Sequence, residues 1–158
     1  MDLSAKRRAL QMLTYGLYVV TTIDEDWPHA ATITWLSQAS FDPPLIMVAI
    51  RTDGHLHMPL EHSRTFVVNI LAAGQATIAE RFFRPRPVEG KTIGGLAFES
   101  GETGAPILLD APAYLECLVI DTVKRGDHTI FVGQIVNAGV RQDSETLELR
   151  RTGWTYGG

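Results

Sequence analysis

Cysteine is almost missing from this chain. Cys117 is the only one in 158 residues, so no intrachain disulfide can form and a reducing, cytoplasmic location is expected. Long apolar runs are missing as well. The longest, Leu45-Ile46-Met47-Val48-Ala49-Ile50, is far too short to cross a bilayer, so no membrane association is expected. Lys6-Arg7-Arg8 is followed by no apolar stretch of the kind a signal peptide carries, and none is expected. Positive charge is scarce: 14 Lys and Arg against 18 Asp and Glu leave a net charge of −4. That balance argues against a nucleic-acid partner, because phosphate recognition needs clustered cations. Both standard nucleotide fingerprints are missing too. No G-x-G-x-x-G follows a strand, and Gly90-Lys91-Thr92 has Pro85 where the first glycine of a phosphate-binding loop belongs. Any nucleotide must be held in another way. With no repeats, low-complexity tracts or linker, residues 1–158 read as one domain.

What is present is mostly strand chemistry. A short helix is expected from Leu3 to Thr14, with Ser4 as its cap, Ala9, Leu10 and Leu13 on one face, and Gly16 past its end. Leu17 to Ile23 is β-branched and aromatic, and Asp24-Glu25-Asp26 turns it into a second strand, His29 to Leu36. Phe41-Asp42-Pro43-Pro44 forms a stiff turn before the buried strand Leu45 to Ile50. Phe66 to Leu71 is a further strand, and Gln75 to Phe83 a helix stopped by Pro85 and Pro87. Gly90 to Gly104 lacks a pattern and reads as a long loop with at most one short strand. Tyr114 to Val123 and Thr129 to Val140 form a closing hairpin. About six strands and two short helices, separated by turns, point to an antiparallel barrel rather than a doubly wound α/β sheet.

Few residues suggest chemistry by their type and spacing alone. His55, His57 and His62, with Glu61, could ligate a metal, but Pro59 and the polar surroundings favour ordinary loop residues, so no metal site is expected. Cys117 shares a strand face with Val119 and reads as a buried small hydrophobe. In Thr32-Ile33-Thr34-Trp35-Leu36-Ser37-Gln38-Ala39-Ser40, four hydroxyl residues offer neutral donors for an anion. Threonine in strands and serine in turns would produce the same pattern. His128 lies where a strand leaves the Gly126-Asp127 turn, and is either a turn residue or a substrate contact.

Taken in order, the segments resemble the flavin reductase-like family of FMN-binding split barrels, from about Ala9 to Val140. The resemblance is carried by Leu13 to Thr22, by His29 to Leu45 with its serine before Pro43-Pro44, by Phe66-Val67-Val68-Asn69-Ile70-Leu71, and by Gly126-Asp127-His128-Thr129-Ile130-Phe131-Val132-Gly133. Tyr15-Gly16-Leu17-Tyr18 is closer to the flavoredoxin-like branch than to the reductase subunits of two-component monooxygenases. The resemblance implies a mainly β fold, a six-stranded antiparallel split barrel with short helices. It also implies a homodimer binding FMN, or FAD, near the subunit interface, with NADH or NADPH as electron donor.

By the same resemblance Thr32, Thr34, Trp35, Ser37 and Gln38 lie along the flavin, and Arg51 and Thr52 approach its phosphate. His57 matches a histidine that often precedes the F-V-V-N strand, although Pro59 should disturb the helical turn expected there. Asn69, Ile70 and Leu71 border the ring through backbone groups, Arg81 and Phe82 line the cleft, and His128 stands where the nicotinamide docks. The implied activity is transfer of electrons from NAD(P)H through FMN to free flavin, oxygen or a protein acceptor such as a monooxygenase. An FMN electron carrier reduced by a partner protein, or a non-catalytic flavin- or haem-binding module, are the other readings.

Overall fold

The computed structural model describes residues 1–158. In chain order the elements are α1 (Leu3–Gln11), β1 (Tyr18–Asp24), β2 (Trp27–Ile33), β3 (Leu36–Ser40), β4 (Leu45–Arg51), α2 (His57–Ser63), β5 (Thr65–Ile70) and α3 (Ala76–Arg81). Four short strands follow: β6 (Val88–Glu89), β7 (Thr92–Ile93), β8 (Leu96–Ser100) and β9 (Pro106–Leu108). The long hairpin of β10 (Ala113–Lys124) and β11 (His128–Val140) and a 3-10 turn at Leu149–Arg151 complete the fold.

Seven strands form the main sheet in the order β2-β1-β5-β10-β11-β4-β3, and every pairing is antiparallel. Its two end strands, β2 and β3, are separated in the chain only by Thr34 and Trp35. One run of chain therefore pairs with β1 through its first half and with β4 through its second. The sheet has to curl until its ends meet, which makes it a barrel with a seam at Thr34–Trp35. The amide of Ala49 donates to the Trp35 carbonyl, and that of Thr32 to Phe82. The six strands expected are the six runs around this barrel. The seventh arises because the strand expected from His29 to Leu36 breaks at the seam.

Alternation along the strands separates two packed regions. Val20, Val48, Phe66, Val68, Cys117 and Phe131 fill the barrel. Val19, Leu71, Phe82, Phe98 and Leu108 pack on its outside under α3 and the short strands. β1 and β5 are covered on both faces, hence their nearly continuous burial. Cys117 is fully buried, and burial together with the nearby Glu116 charge pushes its thiol up to about 12, as suits an inert core residue.

Several local expectations are corrected. α1 ends at Gln11, and its cap is Asp2, whose carboxylate accepts from the amides of Ser4 and Ala5. No residue of α1 is buried, so Ala9, Leu10 and Leu13 form no packed face. The stretch expected as a loop, Gly90 to Gly104, instead contributes to a four-stranded sheet, β6-β7-β8-β9. Its turns rest on left-handed glycines: Gly90, Gly94, Gly95 and Gly104 have φ of 58°, 56°, 78° and 81°. Pro59 does not prevent a helix at His57–Ser63, because it lies in the first turn, where its missing N–H would have no intrahelical partner.

Candidate functional site

A cavity of about 560 Å³ opens at the seam. The bent run from Thr32 to Trp35 forms one wall, with Leu17 and Ala49 beside it. Phe83, just past α3, and Leu149 form another, and Gly153 to Tyr156 cross the mouth. The lining is mainly apolar and aromatic, and Phe83 and Trp154 meet edge to face with ring centroids 4.9 Å apart. Polar handles are few but distinctive. Thr34 Oγ1 and Trp35 Nε1 are buried and have no hydrogen-bond partner in the protein. A buried donor left unpaired costs about 1–3 kcal/mol, so two adjacent ones in a cavity wall suit a ligand that accepts hydrogen bonds. A planar, largely aromatic heterocycle with polar edges fits such a lining.

Beside the cavity the sheet register places His128 opposite Arg51. The His128 ring lies 4.5 Å from the Trp35 ring, and Tyr156 stands edge-on to Trp35 at 5.3 Å. His128 Nδ1 is 2.7 Å from Asp127 Oδ1, and Nε2 is 2.9 Å from the Tyr156 hydroxyl. The hydrogen bond to His128 holds the Asp127 carboxyl below its ordinary range, so it is an anion at neutral pH and can only accept. In the neutral ring Nδ1 therefore carries the proton, and Nε2 accepts from Tyr156. Burial raises the Tyr156 phenol, against a lowering by Arg51, which keeps it a donor at neutral pH. Arg51 itself is tied to Asp53 by two hydrogen bonds of 2.9 and 2.7 Å.

Of the residues singled out in the sequence, Thr32, Thr34 and Trp35 line the cavity and His128 adjoins it. The Thr32 hydroxyl is committed to the Ala79 carbonyl at 2.6 Å. Ser37 and Gln38 lie exposed on β3, outside the cavity lining. Thr52 donates to the Asp127 carbonyl and fastens the β10–β11 turn. His57 is buried against Phe131 and bonded to the Thr129 hydroxyl at 2.7 Å, and burial holds its pKa below the ordinary value. Asn69 is saturated: Nδ2 donates to Val19 and Thr21, and Oδ1 accepts from the Leu108 amide. Ile70 is paired with both Tyr18 and Ala113, and Leu71 and Phe82 are core residues. Arg81 donates to the Gly94 carbonyl beside a separate polar depression that also contains Arg86 and Glu80. The three histidines diverge, since His55 bonds to Ala30 and His62 to Asp24.

Sequence reasoning missed Phe83, Trp154 and Tyr156. For Trp154 and Tyr156 the available signal was aromatic side chains in an otherwise unpatterned final stretch, and for Phe83 its place at the end of the helix expected over Gln75 to Phe83.

A curled antiparallel barrel with a ligand-sized aromatic cavity at its seam defines a split-barrel domain. Residues 10–156 match the flavin reductase like domain, and the chain belongs to that family. It is 34% identical over 134 residues to diflavin flavoprotein A 1 of Synechocystis sp., covering 84% of this chain and 23% of that protein. The chain thus spans about a quarter of the diflavin flavoproteins it matches. An NADH-dependent FAD reductase of Streptomyces globisporus is 34% identical over 84% of this chain and 73% of its own. Among solved structures, the NADH:FAD oxidoreductase SgcE6 of Streptomyces globisporus superposes with a TM-score of 0.81 at 30% identity, over 93% of this chain and 87% of that one. The flavin reductase PheA2 superposes at 0.80 with 27% identity, over 94% and 93%.

Proposed function

We propose that the protein is a flavin-dependent oxidoreductase that holds FMN, or FAD, in the seam cavity and takes electrons from NADH or NADPH. The electrons pass on to free flavin, oxygen or a protein acceptor such as a monooxygenase component. The observation that carries this reading is the pair of unpartnered buried donors, Thr34 and Trp35, in an aromatic cavity of a flavin reductase like domain. When bound, the flavin supplies an acceptor for the hydride that leaves nicotinamide C4.

The chain's own task is positioning. Trp35, Phe83 and Trp154 would flank the ring system and exclude water, while Thr34 Oγ1 and Trp35 Nε1 would donate to its polar edge. His128 would orient the nicotinamide and form no covalent bond to it. No helix is long and apolar enough to cross a membrane, and the lone, inert cysteine supports the cytoplasmic assignment. A homodimer completes the proposal.

The test is spectroscopic. The purified protein, loaded with FMN or FAD, should show a flavin spectrum that bleaches anaerobically on addition of NADH or NADPH. A protein that gains no visible spectrum with either flavin refutes the reading. An FMN carrier reduced by a partner protein is the second reading. It is favoured by the fact that both ring nitrogens of His128 are already engaged. Stopped-flow mixing with each nicotinamide separates the two.

A further inference from the structure

The segment after the 3-10 turn is attached in an unusual way. Residues 153–158 make no backbone-to-backbone hydrogen bond to the rest of the protein. The Trp154 amide reaches only the Thr152 hydroxyl. Side chains do the holding: Trp154 packs on Phe83, and Tyr156 packs on Trp35 and bonds to His128. Glycines with left-handed backbone stand on either side, Gly153 at φ 79° and Gly157 at φ 88°. Gly157 passes so close to the seam that a Cβ there would sit 2.9 Å from Trp35 Cζ2. Such a segment opens at little cost, because few buried contacts and no ladder bonds restrain it.

What it covers is a hydrogen-bonding edge beside the cavity, that of His128. One face of His128 lies against Trp35, Nδ1 is held by Asp127, and Nε2 is held by Tyr156, leaving the side chain 13% exposed. A ligand that needs His128 must take Nε2 from Tyr156.

We propose that Gly153–Gly158 is a displaceable strap, and that the Tyr156 hydroxyl occupies the edge of His128 that a reduced nicotinamide takes when it docks. The strap rests on the reading of the cavity as a flavin site with a nicotinamide beside it. Two states follow, one closed by Tyr156 and one open to the dinucleotide, and the apparent affinity for dinucleotide is reduced by the closed fraction.

Two variants perturb the strap by different chemistry. Tyr156→Phe keeps the ring and deletes the hydroxyl, and Gly157→Ala drives a methyl group against Trp35. Both should lower the apparent dissociation constant of the FMN-loaded protein for NAD⁺, which binds without reducing it, and the KM for NADH. The expected change is roughly two- to tenfold, the weight of one neutral hydrogen bond. Both variants should also shift the ¹⁵N resonance of His128 Nε2. Unchanged or weaker dinucleotide binding in both variants overturns the strap. If neither nicotinamide bleaches the wild-type flavin, the oxidoreductase reading fails, and NAD⁺ binding by the two variants still decides the strap.

Discussion

At Thr34 and Trp35 a structural necessity and a chemical opportunity fall on the same two residues. The break between β2 and β3 takes their backbone out of regular pairing, and their side-chain donors are left buried without partners. Thr34→Val preserves shape and removes a donor, and Trp35→Phe removes the indole N–H while keeping an aromatic wall. If these groups bind the flavin edge, each substitution should weaken FMN binding about 2- to 10-fold, the loss of one hydrogen bond, in a fluorescence titration. Tighter or unchanged binding in both would move the polar edge of the site elsewhere. The hydroxyl-rich strand was readable in the sequence, but which of its members stay unsatisfied was not. Thr32 had an equal claim and is spent on Ala79, a residue 47 positions away. Tyr156 was unreadable for a related reason. Nothing in its own neighbourhood is periodic, and its partner lies 28 residues earlier.

Elements with strong local chemistry were legible, and those built from tertiary partners were not. β-branched runs bounded by Asp, Gly and Pro gave β1, β4, β5, β10 and β11 to within two residues. The strands between Val88 and Leu108 are two to five residues long and carry almost no alternation. Their pairing rests on glycine turns and on a clamp from outside the region. The clamp is Glu116 on β10, a fully buried carboxylate. It accepts from the amides of Glu102 and Thr103, the Thr103 hydroxyl and Asn137 Nδ2. Burial alone would raise its pKa, but these hydrogen bonds outweigh it and leave it lowered. Its stabilisation is therefore present above the unfolded-state pKa and is lost as pH falls through the lower folded-state value. Glu116→Ala leaves several donors unpaired and should cost about 2–4 kcal/mol at neutral pH. The difference from wild type should shrink in acid denaturation below about pH 4, where the unfolded-state carboxyl protonates. A wild-type and variant pair whose melting temperatures coincide at pH 7 would remove the clamp.

At the level of the whole molecule, the outer face of β10, β11 and β4 bears on the proposed dimer. Register puts Met47 beside Val132 and Leu118 beside Gln134, all on the face opposite the barrel interior. Met47 is 41% exposed, Leu118 43% and neighbouring Ile120 49%. Exposed apolar side chains on neighbouring strands, interspersed with Gln134 and Asp121, make a surface that a second copy of the chain can bury. Light scattering should give twice the mass of one chain, and the pair Met47→Asp and Leu118→Asp should halve it. A wild-type monomer that still binds FMN tightly would count against an interfacial site. The barrel was legible as a class, since strand number and turn spacing point to it. Its closure was not, because that depends on one two-residue break inside a segment that reads as continuous strand.

That break also makes the barrel's mechanics and its occupancy a single property. Opening the barrel means releasing β2 from β1 or β3 from β4, and the stretch that bends between those two pairings is the one that walls the cavity. A bound molecule gripping Thr34 and Trp35 would hold that bend in the shape both pairings need. By mass action it would favour the closed barrel by about 2.7 kcal/mol at a concentration 100 times its dissociation constant. The empty and filled forms would then differ in how readily the cylinder unrolls, as well as in colour.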